Sequence, residues 1–536
     1  MVTVKLHPIV TCVFFDEHPH STTKIQIVPQ FISPLLHLGK RSTHTDETGI
    51  GFVALLLCLY LSWALLQVLC RGGWTSSPKN RRSAPPGPWP LPIVGNLLQL
   101  DSRPEKKFAE LAKIYGPVMT LQLGCVRTVV ISSAQAAREA LQTHDLAFSG
   151  RTIPGTATAH SHDRLSVGWL PASSPTWRSL RRIMTLHVFA AKKLDSTHTL
   201  RRQILEDVVA GLRKSALSGF PVEIAETSFR AVCNFLSNVL LSTDLIKPNP
   251  EEEDSKDLIS VMRSLIVELG KPNLADFFPF LKRIDANGRR RQAAVYYGQL
   301  LVMIDDLVNK RLQVREKPAG DLIARETDVL DSLLDIFEDK REETIGMELI
   351  KVLIMDMFLA STDTISTTFE WAMAELLRHP DKLSRAQAEL EQAAPDCPAV
   401  AAAQGREETE LCGFTVQKGA QVLINTWAIY HDPSLWEDPG SFVPERFLGG
   451  PGPIGSIDIK GHNFELIPFG SGRRICPGLP LAMRMLPLML GSMINCFDWK
   501  LPDGMKPREM NMEDVLGVTL RMAHPLRVVP FLCEPM

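Results

Sequence analysis

The sequence predicts a mainly α-helical protein with short strands and one membrane-spanning helix near its N-terminus. Three observations carry this prediction. Residues 50–70 contain no charged side chain, residues 345–378 form a long apolar stretch of helical character, and the strand-like segments 118–123 and 128–132 are short. We therefore expect most of the core to be built from helices.

Composition excludes several classes of protein. The chain has 536 residues, 45% of them hydrophobic, and a net charge of -2. This charge and the lack of a long basic stripe argue against a nucleic-acid partner. Ten cysteines occur without a C-x-x-C pair or a zinc-like spacing. In a chain of this length they indicate reduced thiols in a protein that faces the cytosol.

Residues 1–49 are an unassigned N-terminal extension. They mix His, Thr, Pro and isolated charges without a clear period. We expect this extension to be disordered and to have no catalytic role. One interpretation is an artefact of the gene model, with the natural start near Ile50.

Residues 50–70 are predicted to be a transmembrane anchor. Their 21 uncharged positions are long enough to span a bilayer as a helix. Two basic residues precede the anchor at 40–41, and four follow it within 71–82, which places the downstream chain in the cytoplasm. A buried core helix is the alternative. Residues 71–96 then form a basic, proline-rich linker, because proline disfavours helix and stiffens an extended chain.

Trp177 and Arg181 lie four residues apart in a helical stretch. Residues i and i+4 share a helix face, so the indole N–H and the guanidinium point the same way and can hold an anionic group. The spacing supports equally well an amphipathic helix with a solvated basic face.

The stretch 345–378 carries A-S-T-D-T at 360–364 within an apolar helix. Burying a charge and several hydroxyls costs several kcal/mol unless they are paired. A proton relay through Asp363 and Thr364 would give them that pairing. The alternative is a set of hydroxyls that bond back to the carbonyls of their own helix.

The sequence F-G-S-G-R-R-I-C-P-G at 469–478 places Cys476 at the end of a loop, just before an apolar helix. Glycines surround the cysteine and allow close backbone approach, and two arginines supply fixed positive charge. A haem iron needs a deprotonated sulphur with donors around it, and the haem propionates need cations. An inert buried cysteine is the alternative, but the complete spacing F-x-x-G-x-R-x-C-x-G argues against it.

This spacing resembles that of the cytochrome P450 haem-thiolate monooxygenases. The segments H-N-F-E-L-I-P-F-G at 462–470 and F-D-W-K-L at 497–501 resemble the plant A-type group, near the geraniol 8-hydroxylases. The resemblance covers about residues 84–531. It implies a mainly α fold with small β-sheets at one side, and a haem-thiolate monooxygenase domain over residues 97–536.

The resemblance also implies roles for individual residues. Cys476 would ligate the iron of haem b, Thr364 would hydrogen-bond the dioxygen bound there, and Asp363 would help to deliver protons. Ser361 stands where the family often has glycine. The loop 149–174 and the turn 517–519 would contact the substrate. The residues implied to bind the cofactor are Trp177, Arg181, Phe469, Gly472, Arg474 and Gly478.

One family segment, the helix with E-x-x-R, is absent around 394–410. Its Glu and Arg would join Arg446 to brace the core behind the haem. Glu375 and Arg378 match the letters, but they lie 11 residues past Thr364 on the same helix, about 16 Å along its axis. We interpret them as a chance match. Arg406 is the nearest candidate for the propionate contact normally made there. A mis-joined exon or a truncated gene would explain the interruption.

The implied reaction is hydroxylation of a small apolar substrate, at the family level a terpenoid alcohol, with O2. Electrons would come from NADPH–cytochrome P450 reductase, docked near Arg178 and Arg182. The implied location is the endoplasmic reticulum membrane, with a single span in membrane lipid and a cytosolic catalytic domain. Three alternatives stay open: a haem-thiolate isomerase or dehydratase, which would not need Asp363 and Thr364; a membrane-anchored haem-binding protein without turnover; and a misfolded product that holds no haem.

Overall fold

The computed structural model describes residues 55–58, 60–61, 84–246, 253–316, 328–339, 346–390, 403–404, 409–447 and 457–532. Its contacts divide the chain into one unit with residues 1–14 and 84–536 and another with residues 15–83. The extension 1–49, the first half of the linker 71–96 and most of the interval 394–410, with Arg406, lie outside the described residues.

Helices make up most of the described chain, as the sequence predicts. The region 222–315, helical by pattern, begins with a short strand and continues as α7 to α10. The α-helices are α1 (Pro104–Tyr115), α2 (Ala134–Arg138), α3 (His162–Leu165), α4 (Pro175–Ile183), α5 (Ala191–Ser196), α6 (His198–Ser218), α7 (Ile224–Leu241), α8 (Glu253–Gly270), α9 (Leu274–Phe277), α10 (Arg289–Arg315), α11 (Val329–Glu338), α12 (Met347–Arg378), α13 (Pro380–Leu390), α14 (Thr426–Tyr430) and α15 (Leu479–Cys496).

The strands form small sheets, which also agrees with the prediction. One sheet has the order β1-β2-β7-β4, in which β2 and β7 are parallel and the other pairs antiparallel. Another has the order β3-β11-β8, and β5-β6 and β9-β10 are two-stranded. The strands are β1 (Val118–Leu123), β2 (Val126–Ile131), β3 (Val222–Glu223), β4 (Ala403–Gln404), β5 (Thr409–Leu411), β6 (Phe414–Val416), β7 (Gln421–Ile424), β8 (Phe497–Lys500), β9 (Asp514–Leu516), β10 (Leu520–Met522) and β11 (Arg527–Leu532).

Helix α12 is the central element of the core. It packs against α7, α10, α13 and α15 and against the strand β10. It ends at Arg378 because His379 precedes Pro380, and a residue before proline disfavours the helical conformation. Trp371, fully buried, donates its indole N–H to the carbonyl of Leu520 at 2.9 Å. This contact fixes β10 beside α12.

Among the described residues, helix α15 is long enough and apolar enough to cross a membrane, with a mean hydropathy of 1.3. Half of it is buried inside the protein, and its apolar side chains belong to the same core as α12. We therefore assign α15 to the core behind the cysteine loop. The anchor predicted at 50–70 is described only at residues 55–58 and 60–61, which are helical and exposed.

Arg446, predicted as the third member of the brace, binds carbonyls of its own loop. It donates to Glu437 at 2.8 Å, and also to Asp438, Ser441 and Val443. The loop is also connected to α13, because Glu445 accepts a hydrogen bond from Lys382 at 2.8 Å. These contacts hold the loop in place without a described E-x-x-R helix.

Glu375, the acid of the chance E-x-x-R match, is buried near the end of α12. Its side chain is 1% exposed, and no described residue donates a hydrogen bond to either carboxylate oxygen. The nearest basic atom is Nδ1 of His379, 3.5 Å from Oε2. Burial raises the pKa of Glu375 to about 7. Glu375 therefore does not form the bracing pair with Arg378 that the letters suggest.

The raised pKa of Glu375 predicts a stability that falls as the pH rises. Its ordinary pKa is 4.5, and its pKa in the folded protein is about 7. Between these two pH values the folded protein therefore holds a proton on Glu375 that the unfolded chain has already lost. Raising the pH from about 5 to about 8 should thus lower the free energy of unfolding by up to about 3 kcal/mol through this group. Thermal melts of the full chain at both pH values measure it.

Glu375→Gln should flatten this dependence, because glutamine does not ionise. The control is Glu348→Gln, at an exposed acid of the first turn of α12, which should leave the dependence unchanged. Glu370 has a similarly raised pKa and keeps part of the dependence in both variants. An unchanged dependence in Glu375→Gln would contradict the prediction.

Candidate active site

The loop 469–478 places Cys476 between a buried aromatic side chain and the start of α15. The amide of Cys476 donates to the carbonyl of Phe469 at 3.0 Å, and Phe469 is 1% exposed. The backbone N–H groups of Gly478 and Leu479 lie near the sulphur and act to lower the pKa of the thiol. Burial raises the pKa of the thiol, whereas these donors and the charges of Arg181 and Arg151 oppose that rise. The sulphur thus has donors and cations around it.

The glycines of this loop serve different purposes. Gly472 has a φ of +65°, and a Cβ there would lie 2.1 Å from the carbonyl oxygen of Leu141. Its missing side chain therefore makes room for the backbone of a neighbouring helical turn. The role of Gly472 in cofactor binding stays a prediction. A Cβ on Gly478 would lie 3.7 Å from the sulphur of Cys476, which is ordinary contact.

Trp177 and Arg181 share one face of α4, as predicted, and this face lies beside the cysteine loop. Arg181 donates to the carbonyl of Ile475 at 2.8 Å, and its guanidinium lies 5.7 Å from the ring centre of Trp177. The indole N–H of Trp177 donates to the carbonyl of Val167 at 3.1 Å. The structure therefore brings both predicted residues next to Cys476.

Arg474 completes this group of cations. Its guanidinium lies 5.0 Å from the ring centre of Trp177, on which it stacks. Its Nε donates to the carbonyl of Ser149 at 2.7 Å, and its terminal nitrogens reach Gly168 and Leu170. Arg474 thereby binds the loop 149–174, predicted to lie over the substrate, to the cysteine loop.

Sequence reasoning missed Arg151. Its Nε is buried, and no described residue accepts a hydrogen bond from it. Its pKa is lowered by burial and by the charge of Arg181, while Cys476 raises it, so the guanidinium lies within electrostatic reach of both. A single arginine in a loop has no spacing that would identify it.

These residues fit a haem. A buried guanidinium nitrogen without an acceptor, beside Arg181 and Trp177, suits the carboxylate groups of a cofactor. A cysteine sulphur with two N–H donors suits an iron. The described residues contain no cluster of His, Cys, Asp and Glu that could hold a metal ion by itself.

The two predicted proton-transfer residues are adjacent on α12 but have different partners. Thr364 donates its hydroxyl to the carbonyl of Ala360 at 2.7 Å, which is the back-bonding alternative. Asp363 is 7% exposed and accepts a hydrogen bond at 2.7 Å from the hydroxyl of Thr519. Burial raises the pKa of Asp363, and the Thr519 donor opposes the rise. In this structure the two residues are therefore not hydrogen-bonded to each other.

Helices α12 and α15 pack against each other, so the acid-bearing helix adjoins the helix that follows the cysteine loop. Cys476 itself packs on the core formed by these helices. The predicted iron ligand and a buried acid thus lie on adjoining elements.

The model of the cytochrome P450 family matches residues 85–404 and 403–525. The chain belongs to the cytochrome P450 family. The two matched stretches meet at residues 403–404, inside the interval in which the sequence lacks E-x-x-R. Membership makes this chain an oxygenase, and it agrees with the mainly helical fold with small sheets.

Characterised plant P450 proteins are similar over most of their length. Geraniol 8-hydroxylase of Catharanthus roseus is 41% identical over 480 residues, which covers 84% of this chain and 94% of the relative. Drimenol monooxygenase of Persicaria hydropiper is 40% identical, and the match covers 90% of this chain and 97% of the relative. 7-Ethoxycoumarin O-deethylase of Helianthus tuberosus is 40% identical, and the match covers 90% of this chain and 99% of the relative.

The close approach at Gly472 predicts a large effect of a single methyl group. Gly472→Ala should destabilise the protein by about 2–4 kcal/mol, because it adds left-handed strain and a clash with the carbonyl of Leu141. Gly419→Ala is the matched control: its φ is +81°, and nothing lies within 4 Å of its Cβ position. It should cost about 1–2 kcal/mol. Thermal melts of the two variants and the parent measure both losses of stability. Equal losses in Gly472→Ala and Gly419→Ala would contradict the prediction.

Proposed function

We propose that this P450 hydroxylates a small apolar substrate, a terpenoid alcohol, with O2 and electrons from NADPH–cytochrome P450 reductase. The observation that carries the proposal is the surroundings of Cys476. Arg181 is fixed beside Cys476 by the carbonyl of Ile475 at 2.8 Å, and the backbone N–H groups of Gly478 and Leu479 and the guanidinium of Arg151 also act to lower the pKa of the thiol.

The cofactor in this proposal is haem b. Cys476 would ligate its iron, and Arg181, Arg151 and Arg474 would hold its carboxylates. Trp177, whose indole N–H is bonded to Val167, would pack beside them. When bound, haem supplies reductive activation of dioxygen, which the side chains alone cannot perform. The protein contributes a buried sulphur with its donors and a fixed set of cations.

Asp363 is the proton donor of this proposal. A buried carboxyl with a raised pKa retains a proton that an exposed aspartate would lose, and it can release that proton to a neighbouring hydroxyl. Thr364 is next along the helix, and its hydroxyl is half-buried and bonded to Ala360. A rotation about its side-chain bond would free this hydroxyl from Ala360 to relay the proton, since it could take the proton of Asp363 as it gives up its own to an acceptor on its other side. The presence of Asp363 beside Thr364 also argues against an isomerase or a dehydratase, because neither would need these two residues.

Relatives support the substrate class. They are named for geraniol, drimenol and 7-ethoxycoumarin. All three molecules are small and largely apolar, and geraniol and drimenol are terpenoid alcohols, which is the basis for proposing a terpenoid alcohol here. The uncharged stretch 50–70 and the basic residues that follow it support a single-pass protein of the endoplasmic reticulum membrane, anchored in lipid through residues 50–70, with its catalytic domain in the cytosol.

The first test is the carbon monoxide difference spectrum of the full chain after reduction. We expect a red-shifted Soret band of the thiolate-ligated type, lost in Cys476→Ser. Cys496→Ser is the control, because Cys496 lies at the far end of α15 from the loop and should keep the band. Turnover of terpenoid alcohols with reductase then tests the activity.

A second candidate function is haem binding without turnover. The missing E-x-x-R segment favours it, because the brace behind the haem is incomplete in the sequence. A thiolate-type band together with NADPH-driven hydroxylation would exclude this candidate. A band without any hydroxylated product would support it, and no band at all would exclude both functions for this chain.

Arg178 and Arg182 are exposed on α4 and are proposed to dock the reductase. Replacing both with Glu should lower the rate of electron transfer from the reductase about ten-fold at low salt, and the difference should shrink at high salt. Arg202→Glu, at an exposed arginine of α6, is the control. Stopped-flow reduction under carbon monoxide measures the rates. An unchanged rate and salt dependence in the double variant would exclude this docking surface.

A further inference from the structure

The turn 517–519 between β9 and β10 is held against two helices. A Cβ on Gly270, the last residue of α8, would lie 2.7 Å from the Cα of Gly517 and from the backbone nitrogen of Val518. The turn therefore touches the end of α8 backbone to backbone. It is closed by a hydrogen bond from the amide of Gly517 to the carbonyl of Thr519 at 3.0 Å.

The segment that begins with this turn is also bound to α12. Thr519 donates its hydroxyl to Asp363 at 2.7 Å, and the amide of Leu526 donates to Glu370 at 2.8 Å. Asp363 and Glu370 are seven residues apart, which is two helical turns, so they lie on one side of α12. The segment 519–526 thus satisfies two buried carboxylates of the same helix face.

The contact between Thr519 and Asp363 is shielded from water. Thr519 is 5% exposed and Asp363 7% exposed. A buried carboxylate that loses its donor is strongly disfavoured in its charged form, so this hydroxyl matters more than it would at the surface. The other groups whose charge reaches Asp363 are Arg521 on β10 and Arg263 on α8. Arg263 is itself paired with Glu226 at 2.5 Å.

We propose that Thr519 is a positioning residue, whose hydroxyl orients the Asp363 carboxyl and couples proton delivery to the position of the turn 517–519. This inference rests on the proposed monooxygenase function. The turn is the segment expected to contact substrate. A substrate that moves the turn would lengthen the Thr519–Asp363 hydrogen bond, and the carboxyl would then bind its proton more tightly or turn toward Thr364.

The test compares Thr519→Val, which removes the hydroxyl and keeps the shape, with Thr519→Ser, which keeps the hydroxyl. In Thr519→Val the pKa of Asp363 should rise by about one unit, because a donor to the ionised form is lost. Infrared titration of the protonated carboxyl band, assigned with Asp363→Asn, measures this in the full chain, with or without substrate. Thr519→Ser should restore the parent value. Thr519→Ala replaces the valine variant if that does not fold.

Turnover gives a second readout. Thr519→Val should lower the product formed per NADPH consumed about three- to ten-fold and shift the alkaline limb of the kcat profile to higher pH by the same amount as the infrared pKa. Thr519→Ser should behave like the parent. A rise in KM with an unchanged carboxyl pKa would mean that Thr519 only contacts substrate, and would overturn the proposal. So would equal effects of valine and serine.

The failure of this proposal is distinguishable from that of the proposed function. If the parent chain shows no thiolate-type spectrum or no turnover, the function fails, but the infrared titration still shows whether Thr519 controls Asp363. If the parent turns over substrate and the carboxyl pKa is insensitive to the Thr519 hydroxyl, the function stands and the coupling is wrong.

Discussion

Burial of acidic side chains inside α12 is the constraint on which the rest of the structure depends. A buried carboxyl must find donors or keep its proton, since an unpaired charge in an apolar core costs several kcal/mol. Asp363 and Glu370 find donors on the segment 519–526, and this requirement places β10 against the helix. Glu375, with no described donor, retains its proton to about pH 7. The helix that forms the core thereby also positions the strand and turn beside it.

The polar groups of the cysteine loop form hydrogen bonds with the protein itself, without a ligand. Phe469 accepts the amide of Cys476, Arg181 donates to the carbonyl of Ile475, and Arg474 binds carbonyls of the loop 149–174. The shape of the loop is therefore set by protein contacts. Arg151 differs, because its buried Nε has no acceptor among the described residues. A carboxylate of the cofactor would remove that deficit, so binding would stabilise a charge that folding leaves unpaired.

The parts of the site that depend on local spacing could be predicted from the sequence. Trp177 and Arg181 are four residues apart on one helix. The glycines, arginines and cysteine of the motif lie in one continuous loop, so they can be recognised from the sequence of that loop alone. Contacts between distant segments could not be predicted. Thr519 meets Asp363 across 156 positions, and Arg151 reaches Cys476 from a loop without a motif. The helices and short strands agree with the predictions because apolar periodicity reports local structure, whereas the partner of a buried acid is decided by packing.

The interruption within 394–410 removes no partner that the described residues give to the cysteine sulphur. Its N–H donors come from Gly478 and Leu479, and its neighbouring cations from Arg151 and Arg181. The loop around Arg446 is held by its own carbonyls and by α13. The groups that act on the cysteine sulphur are thus local to 469–479 and to the segment 151–181. Any loss of haem affinity in this chain would then come from the propionate contact and the brace that the family places in the interval 394–410, and not from the groups beside the sulphur.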